Sequence, residues 1–253
     1  MTTGNIGSLL IAARDLRRQR RFSDAFHLLH EALPVHEKLR PHVWQHQPSF
    51  WQSFRGGGIC LRRRSADDAQ FIREVCSNAE FVNRYAPAGI IIPLDERVLS
   101  ATLDAEFVAC IHEVPAVHWI VEDSHGRKLG LASLVDISVS HRRAELLLGV
   151  TAEASPRVTV RALLLIFYRF FASWNMYKLY GYILNDNHKA IDTALNLGFR
   201  CEGTLLEHIA DTKTGLRKTL VIVAATQSDV GTSHHLRLAT RLLANKPSKP
   251  QDM

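Results

Sequence analysis

The chain has 253 residues, enough to bury a core as one main domain with a smaller attachment. With 46% hydrophobic and 22% charged residues it reads as globular over most of its length, which excludes a disordered chain. The formal charge of +6 favours acidic or phosphate-rich partners, but the basic residues fall in short clusters: Arg17-Arg18 with Arg20-Arg21, Arg62 to Arg64, and Arg142-Arg143. No nucleic-acid-binding motif accompanies them, so a nucleic-acid partner is not expected.

Cys60, Cys76, Cys110 and Cys201 are widely separated and form no CxxC, which fits a reduced compartment better than a disulfide framework. The first residues lack the basic start and apolar stretch of a secretion signal. The apolar run from Ala162 to Trp174 is interrupted by Arg169 and reads as a buried helix. A cytoplasmic protein without a membrane span is expected.

In chain order, Ile6 to Leu33 has helical periodicity and predicts a hairpin of two helices, with Ser23 as a cap near the start of the second. One such pair cannot bury its own apolar face, so it must pack on the main domain or on another subunit, which leaves a homodimer open. Pro34 to Gly58 is irregular and aromatic, with Trp44, Phe50, Trp51 and Phe54, and reads as an arm over the domain surface or a partner- or substrate-lining segment. "GICLRRR" predicts a strand, and Ser65 followed by Asp68 a helix start. A second helix is expected between Leu94 and His112, preceded by the apolar loop "YAPAGIIIPL".

The period then changes. "AVHWIVED", "KLGLASLVDIS" and "RAELLLGV" predict three strands, the first two joined by a turn at Ser124 to Gly126. A long helix at Thr159 to Trp174, the strand "KLYGYIL", a helix from Lys189 to Leu197 and a strand pair closed by "TKTG" complete an α+β order around a mixed sheet. Residues after Thr226 read as a polar linker, a short helix at His234 to Leu243 and a loose tail. The expected units are 1–57, 58–226 and 227–253.

Three stretches carry a family resemblance: "LGLASLVDISVSHRRAELLLGV", with its Arg143-Ala144-Glu145; "NHKAIDTALNLGF"; and "GFRCEGTLLEHI". Over about Ile59 to Ala225 the chain resembles the Gcn5-related N-acetyltransferase (GNAT) superfamily, particularly its ribosomal-protein-alanine acetyltransferase-like branch. The resemblance implies a mostly antiparallel sheet flanked by helices, acetyl-CoA or another acyl-CoA as co-substrate, and direct acyl transfer to an amine. The acceptor would be an amine-bearing small molecule or a protein N-terminus.

The resemblance also implies site residues. Glu145 would be the general base, or would hold the cationic amine. It shares a strand face with Leu147 and Gly149, so either a structural partner such as Arg143 or Arg142 satisfies it, or it belongs to a site. Backbone N–H groups near Leu148 to Val150 would face the oxyanion, and Asn187 would contact the pantetheine side or cap a helix. In "GVTAEASPRVTV", Ser155 and Arg157 stand where the family has small glycines against the pyrophosphate. Arg157 and Arg161 could supply charge there, and Val158 and Thr159 helix-terminal amides; alternatively the loop is closed and the domain is a noncatalytic, protein-binding relative. Ala194 stands where the family has its aromatic acid, leaving water or another side chain, Tyr180 or Tyr182 among them, as the proton source. His118 is a second catalytic candidate, and Trp119 and Glu207 are candidates for the substrate site. His234-His235 lack acidic or cysteine partners, so no metal is expected.

Overall fold

The computed structural model describes residues 5–89, 93, 95–211, 214–231 and 234–244. Helices α1 (Ile6–Arg18) and α2 (Phe22–Ala32) form the expected hairpin. Arg21, not Ser23, occupies the cap position, and Ser23 lies inside α2. The hairpin buries Ala13, Ala25 and Leu29 against Leu39 and Val43, the latter from α3 (Arg40–Gln45), so the aromatic arm itself closes the helical pair. This removes the need for another subunit to cover that face.

The arm is not a surface strap. Phe50, Trp51 and Phe54 are buried in the main core, with Phe50 only 4.3 Å from the Trp174 ring. It ends in β1 (Phe54–Gly56), which pairs antiparallel with β2 (Ile59–Arg63), so the expected 57/58 boundary falls inside a β-hairpin.

After β2, Asp68 accepts from the Ser65 amide at 2.9 Å in the predicted capping box and leads into α4 (Ala69–Ser77). A further helix, α5 (Ala79–Tyr85), is not separately legible in the hydrophobic periodicity. Its start is marked by Asn78, whose side chain accepts from the Glu80 and Phe81 amides. Helix α6 (Glu96–Val108) begins on the Asp95 cap. Of the apolar loop before it, Ile90 to Ile92 and Leu94 lie outside the described residues.

Strands β3 (Val117–Asp123), β4 (Lys128–Ser138) and β5 (Arg143–Val150) follow as a meander, with Gly126 at φ 79° in the predicted turn. Helix α7 (Pro156–Phe167) continues as a π-helical turn to Ser173. Then come β6 (Lys178–Leu184), α8 (His188–Asn196), β7 (Arg200–Ala210) and β8 (Arg217–Thr226). Gln227–Gly231, expected as linker, is a short helix α9, and α10 (His234–Ala244) packs across α7. The result is an α+β fold: an eight-stranded sheet in the order β1-β2-β3-β4-β5-β6-β8-β7, antiparallel except between β5 and β6.

Gly198 closes α8 at φ 94°, and the Phe199 amide returns to the Ala194 carbonyl at 3.0 Å. A side chain at this φ would be strained, which is why glycine stands there. Phe199 then meets Phe167 of α7 with centroids 5.4 Å apart, fastening α8 to the face that α7 covers.

Candidate active site

Strand alternation divides the central sheet into two chemically different faces. The register β3–β4–β5 aligns His118 with Ser133 and Leu147, and Val135 with Glu145, on the face covered by α4 to α6. Trp119, one residue from His118, therefore points to the opposite face. It is 1% exposed and stacks with Trp174 in the core beneath α7. Trp119 is a core residue and does not line the cavity on the α4–α6 side.

Between β5 and β6 the sheet opens. Their parallel register runs from Arg143–Lys178 to Glu145–Tyr180 and stops there. The Thr151 amide donates to the Leu129 carbonyl on β4 at 2.8 Å. Alternation then turns the amides of Gly149 and Leu147 toward β4, and those of Leu148 and Val150 into the gap. A Cβ on Gly181 would stand 3.1 Å from the Leu146 carbonyl oxygen, so glycine permits the close approach at the start of the split. Leu148 and Val150 thus present backbone N–H groups where the β5–β6 ladder has ended.

On the α4–α6 side lies a cavity of about 390 Å³. Leu99, Thr102 and Leu103 of α6, Tyr85 and Pro87, and Glu145 with Leu147 form much of its wall. Glu145 is half-buried there. Arg143, which could have satisfied it, instead pairs with Asp136, and Arg142 donates to the Asn175 carbonyl at 2.8 Å. Among the described residues no hydrogen bond or ion pair reaches the Glu145 carboxylate, and burial, then the nearby Asp136 charge, raise its pKa. An unpaired carboxylate in an otherwise largely apolar wall is costly unless a ligand completes it.

His118 also lines the cavity, but β4 and a two-residue offset separate it from Glu145, a span of about 12 Å from strand spacing and rise. Its Nδ1 is 2.6 Å from Ser133 Oγ, which is also 2.6 Å from the Tyr85 hydroxyl. Burial, with the Arg64 and Arg63 charges, holds His118 well below its ordinary pKa, so it is a neutral part of the wall at pH 7. The two catalytic candidates thus face one cavity without touching. Sequence reasoning missed Tyr85, Ser133 and the Arg64–Glu106 pair, bonded at 2.5 Å in the same wall.

Tyr180 donates to Asp136 at 2.6 Å and accepts from Arg143 at 2.9 Å; burial, then that carboxylate, push its pKa up, making it a poor acid. Tyr182 lies two residues further along β6, past the end of the β5 ladder and on the same face, with its ring 6.0 Å from that of Tyr180.

On the other face, α7 starts at Pro156, earlier than expected, with Ser155 as its cap. Pro156 has no N–H, the Val158 amide donates to the Ser155 carbonyl at 2.8 Å, and Thr159 lies where intrahelical bonding begins. Val158 is buried in the core, and neither residue presents a free terminal amide in the expected way. The Arg157 amide reaches Ser155 Oγ at 3.4 Å, a bond weak enough to yield to a ligand, and its side chain is exposed. Arg161 instead lies against the Gly57–Gly58 turn, with Cδ 3.3 Å from where a Gly57 Cβ would sit. It faces the β1–β2 side of α7, whereas α8 lies on the Phe167 side.

Asn187 caps α8, its side-chain oxygen accepting from the Ala190 amide at 3.2 Å. Glu207 is three strands from β5 on the sheet edge, at φ 48° in an irregular stretch of β7. It does not line the cavity. Among the described residues no cluster of three potential metal ligands occurs, and no helix is long and apolar enough to cross a membrane.

A sheet split beside a cavity, with a helix N-terminus at the end of the split, is the frame of an acyl-CoA-dependent N-acyltransferase. The Acetyltransferase (GNAT) domain family matches residues 59–200, from the start of β2 to the start of β7. The chain belongs to this family and is an acetyl-CoA-dependent N-acetyltransferase of an amine. The spermidine N(1)-acetyltransferase of Escherichia coli (strain K12) is 37% identical over 150 residues, 58% of this chain and 76% of that protein. Its Vibrio cholerae (serotype O1) counterpart is 30% identical over 99 residues, 38% of this chain and 57% of that protein. A Vibrio cholerae spermidine N-acetyltransferase crystallised with CoA and spermine has the same fold, with TM-score 0.59 and 22% identity over 68% of this chain and 98% of that one. These matches support the superfamily and not the ribosomal-protein-alanine branch that the motifs resemble.

Proposed function

We propose that the chain acetylates a small aliphatic amine of the polyamine class, with Glu145 as both anchor and base. The observation that carries this reading is the unpaired, half-buried Glu145 in a cavity walled by Leu99, Leu103, Leu147 and Pro87. Such a wall suits methylene groups, and the carboxylate suits an ammonium. The relationship to the spermidine acetyltransferases supports the same class.

The amine must lose a proton before it can attack, and Glu145 takes it directly or through a water. The neutral nitrogen then adds to the thioester carbonyl carbon, and the oxyanion formed faces the Leu148 or Val150 amide in the split. Collapse of this adduct breaks the C–S bond, releasing the acetylated amine and the CoA thiol after proton transfer. Arg157 contributes charge to the pyrophosphate at the start of α7, in place of glycine-loop amides. Arg161 has no part in this, because it packs on the β1–β2 turn.

The test is acetylation by the purified protein of spermidine, spermine and simple diamines, beside peptides with a free N-terminal alanine. Turnover of polyamines with little on peptides supports the reading. Peptide acetylation without polyamine turnover would assign the acceptor to protein N-termini instead.

A further inference from the structure

Helix α6 supplies Leu99, Thr102, Leu103 and Glu106 to the acceptor cavity. Its C-terminus is closed in an unusual way. The chain leaves through Ala109 in an extended conformation, φ −68° and ψ 141°, without the left-handed residue that commonly closes a helix. Its last carbonyls are instead taken by side chains from elsewhere. Arg63 Nη2 donates to the Glu106 carbonyl at 2.7 Å and to that of Ala109 at 3.2 Å. Trp51 Nε1 donates to Phe107 at 2.8 Å, and Arg17 Nη1 to Val108 at 2.6 Å.

Two of these three donors belong to the N-terminal extension, which precedes the family match at residue 59. Both are held firmly. Arg17 is 2% exposed and is gripped by Glu113 at 2.9 and 3.0 Å, and Glu113 also accepts from the Cys110 amide at 3.1 Å. The Trp51 ring stacks on Phe22 of α2 at 4.7 Å with planes 12° apart. Two guanidinium groups at a helix C-terminus also suit its negative end. Neither Arg17 nor Trp51 lines the cavity.

We propose that the N-terminal extension sets the acceptor wall: Arg17 and Trp51 are positioning residues that fix the C-terminal end of α6 and thereby the affinity for the amine. This rests on the reading of the cavity as the amine site. Loss of either donor frees an α6 carbonyl and loosens the helix that walls the amine cavity, while the β5–β6 split and the start of α7 are untouched.

The experiment uses the full chain with Trp51→Phe, which keeps the ring on Phe22 but removes the N–H, and Arg17→Lys beside it. Amine and acetyl-CoA KM values, kcat, and hydrogen exchange of the 96–108 segment are measured together. The expected result is a several-fold rise in amine KM with acetyl-CoA KM unchanged, and faster exchange confined to α6 and its neighbours. Unchanged amine KM and α6 exchange, even with a lower Tm, would overturn the proposal. The exchange readout needs no substrate, so it separates this outcome from a wild-type protein that acetylates no polyamine, which would overturn the reading of the cavity instead.

Discussion

Glu145 is where burial and chemistry meet most directly. Its carboxyl is raised by desolvation, then by Asp136, and the sign of the consequence follows. Between the unfolded and the raised folded pKa the native state holds more protons, so stability falls as pH rises through that window. Glu145→Gln is therefore expected to melt no lower, and at pH 7 somewhat higher, than the wild type while losing roughly 10²- to 10⁴-fold in kcat/KM for the amine. Thermal melts and steady-state kinetics on the same preparation check both halves. The wild-type rate should also climb with pH through a midpoint above that of an ordinary glutamate. Arg157→Ala tests the other end of the site. A charge-assisted contact of about 1.5 kcal/mol corresponds to roughly a tenfold rise in acetyl-CoA KM, with amine KM unchanged. An unaltered acetyl-CoA KM would remove Arg157 from the cofactor site.

At the scale of the element, one close approach backs the wall of the cavity. Strand β5 lies so near α5 that a Cβ on Gly149 would fall 2.8 Å from Tyr85 Cβ and 3.1 Å from the Phe81 ring. Gly149→Ala is expected to cost about 1 to 3 kcal/mol through overpacking and to raise amine KM, because Tyr85 backs the acceptor wall. Denaturant titration and kinetics would show it. The β2–α4 corner is fixed by charge. Asp68, fully buried, accepts from Arg62 at two positions 2.7 Å away, while Lys128 Nζ stands at 2.8 Å. Burial alone would raise this carboxyl, but the Arg62, Lys128 and Ser65 hydrogen bonds bring it to about 2. A depressed carboxylate stabilises the fold above its unfolded pKa and loses that stabilisation as pH falls toward the folded value. Acid unfolding should therefore include a component between about pH 4 and 2 worth on the order of 2 kcal/mol, absent in Asp68→Asn. Much of this level was readable beforehand. Ser65 and Asp68 announced their corner, and the "KLYGYIL" strand fell where expected, because caps and alternation are local.

For the whole molecule, the arginine clusters change meaning. Arg62 serves Asp68, Arg63 the α6 carbonyls, and Arg64 the Glu106 carboxylate, three neighbours in sequence holding three different places. They join the sheet to the α4 and α6 side rather than forming a free basic patch. The sequence by itself determined the strand order through the meander, the glycine stop of α8 and the superfamily, since each depends on short-range periodicity or on residues in a fixed motif. It could not decide whether Arg143 neutralises Glu145, because that turns on Asp136 reaching Arg143 and Tyr180 across the β4–β5 bulge. Nor could it place Trp119 beneath α7, Arg161 on the Gly57–Gly58 turn, or Arg17 and Trp51 on the end of α6. Those contacts join residues tens of positions apart, and only the closing of the sheet against its two helical layers brings them within reach of one another.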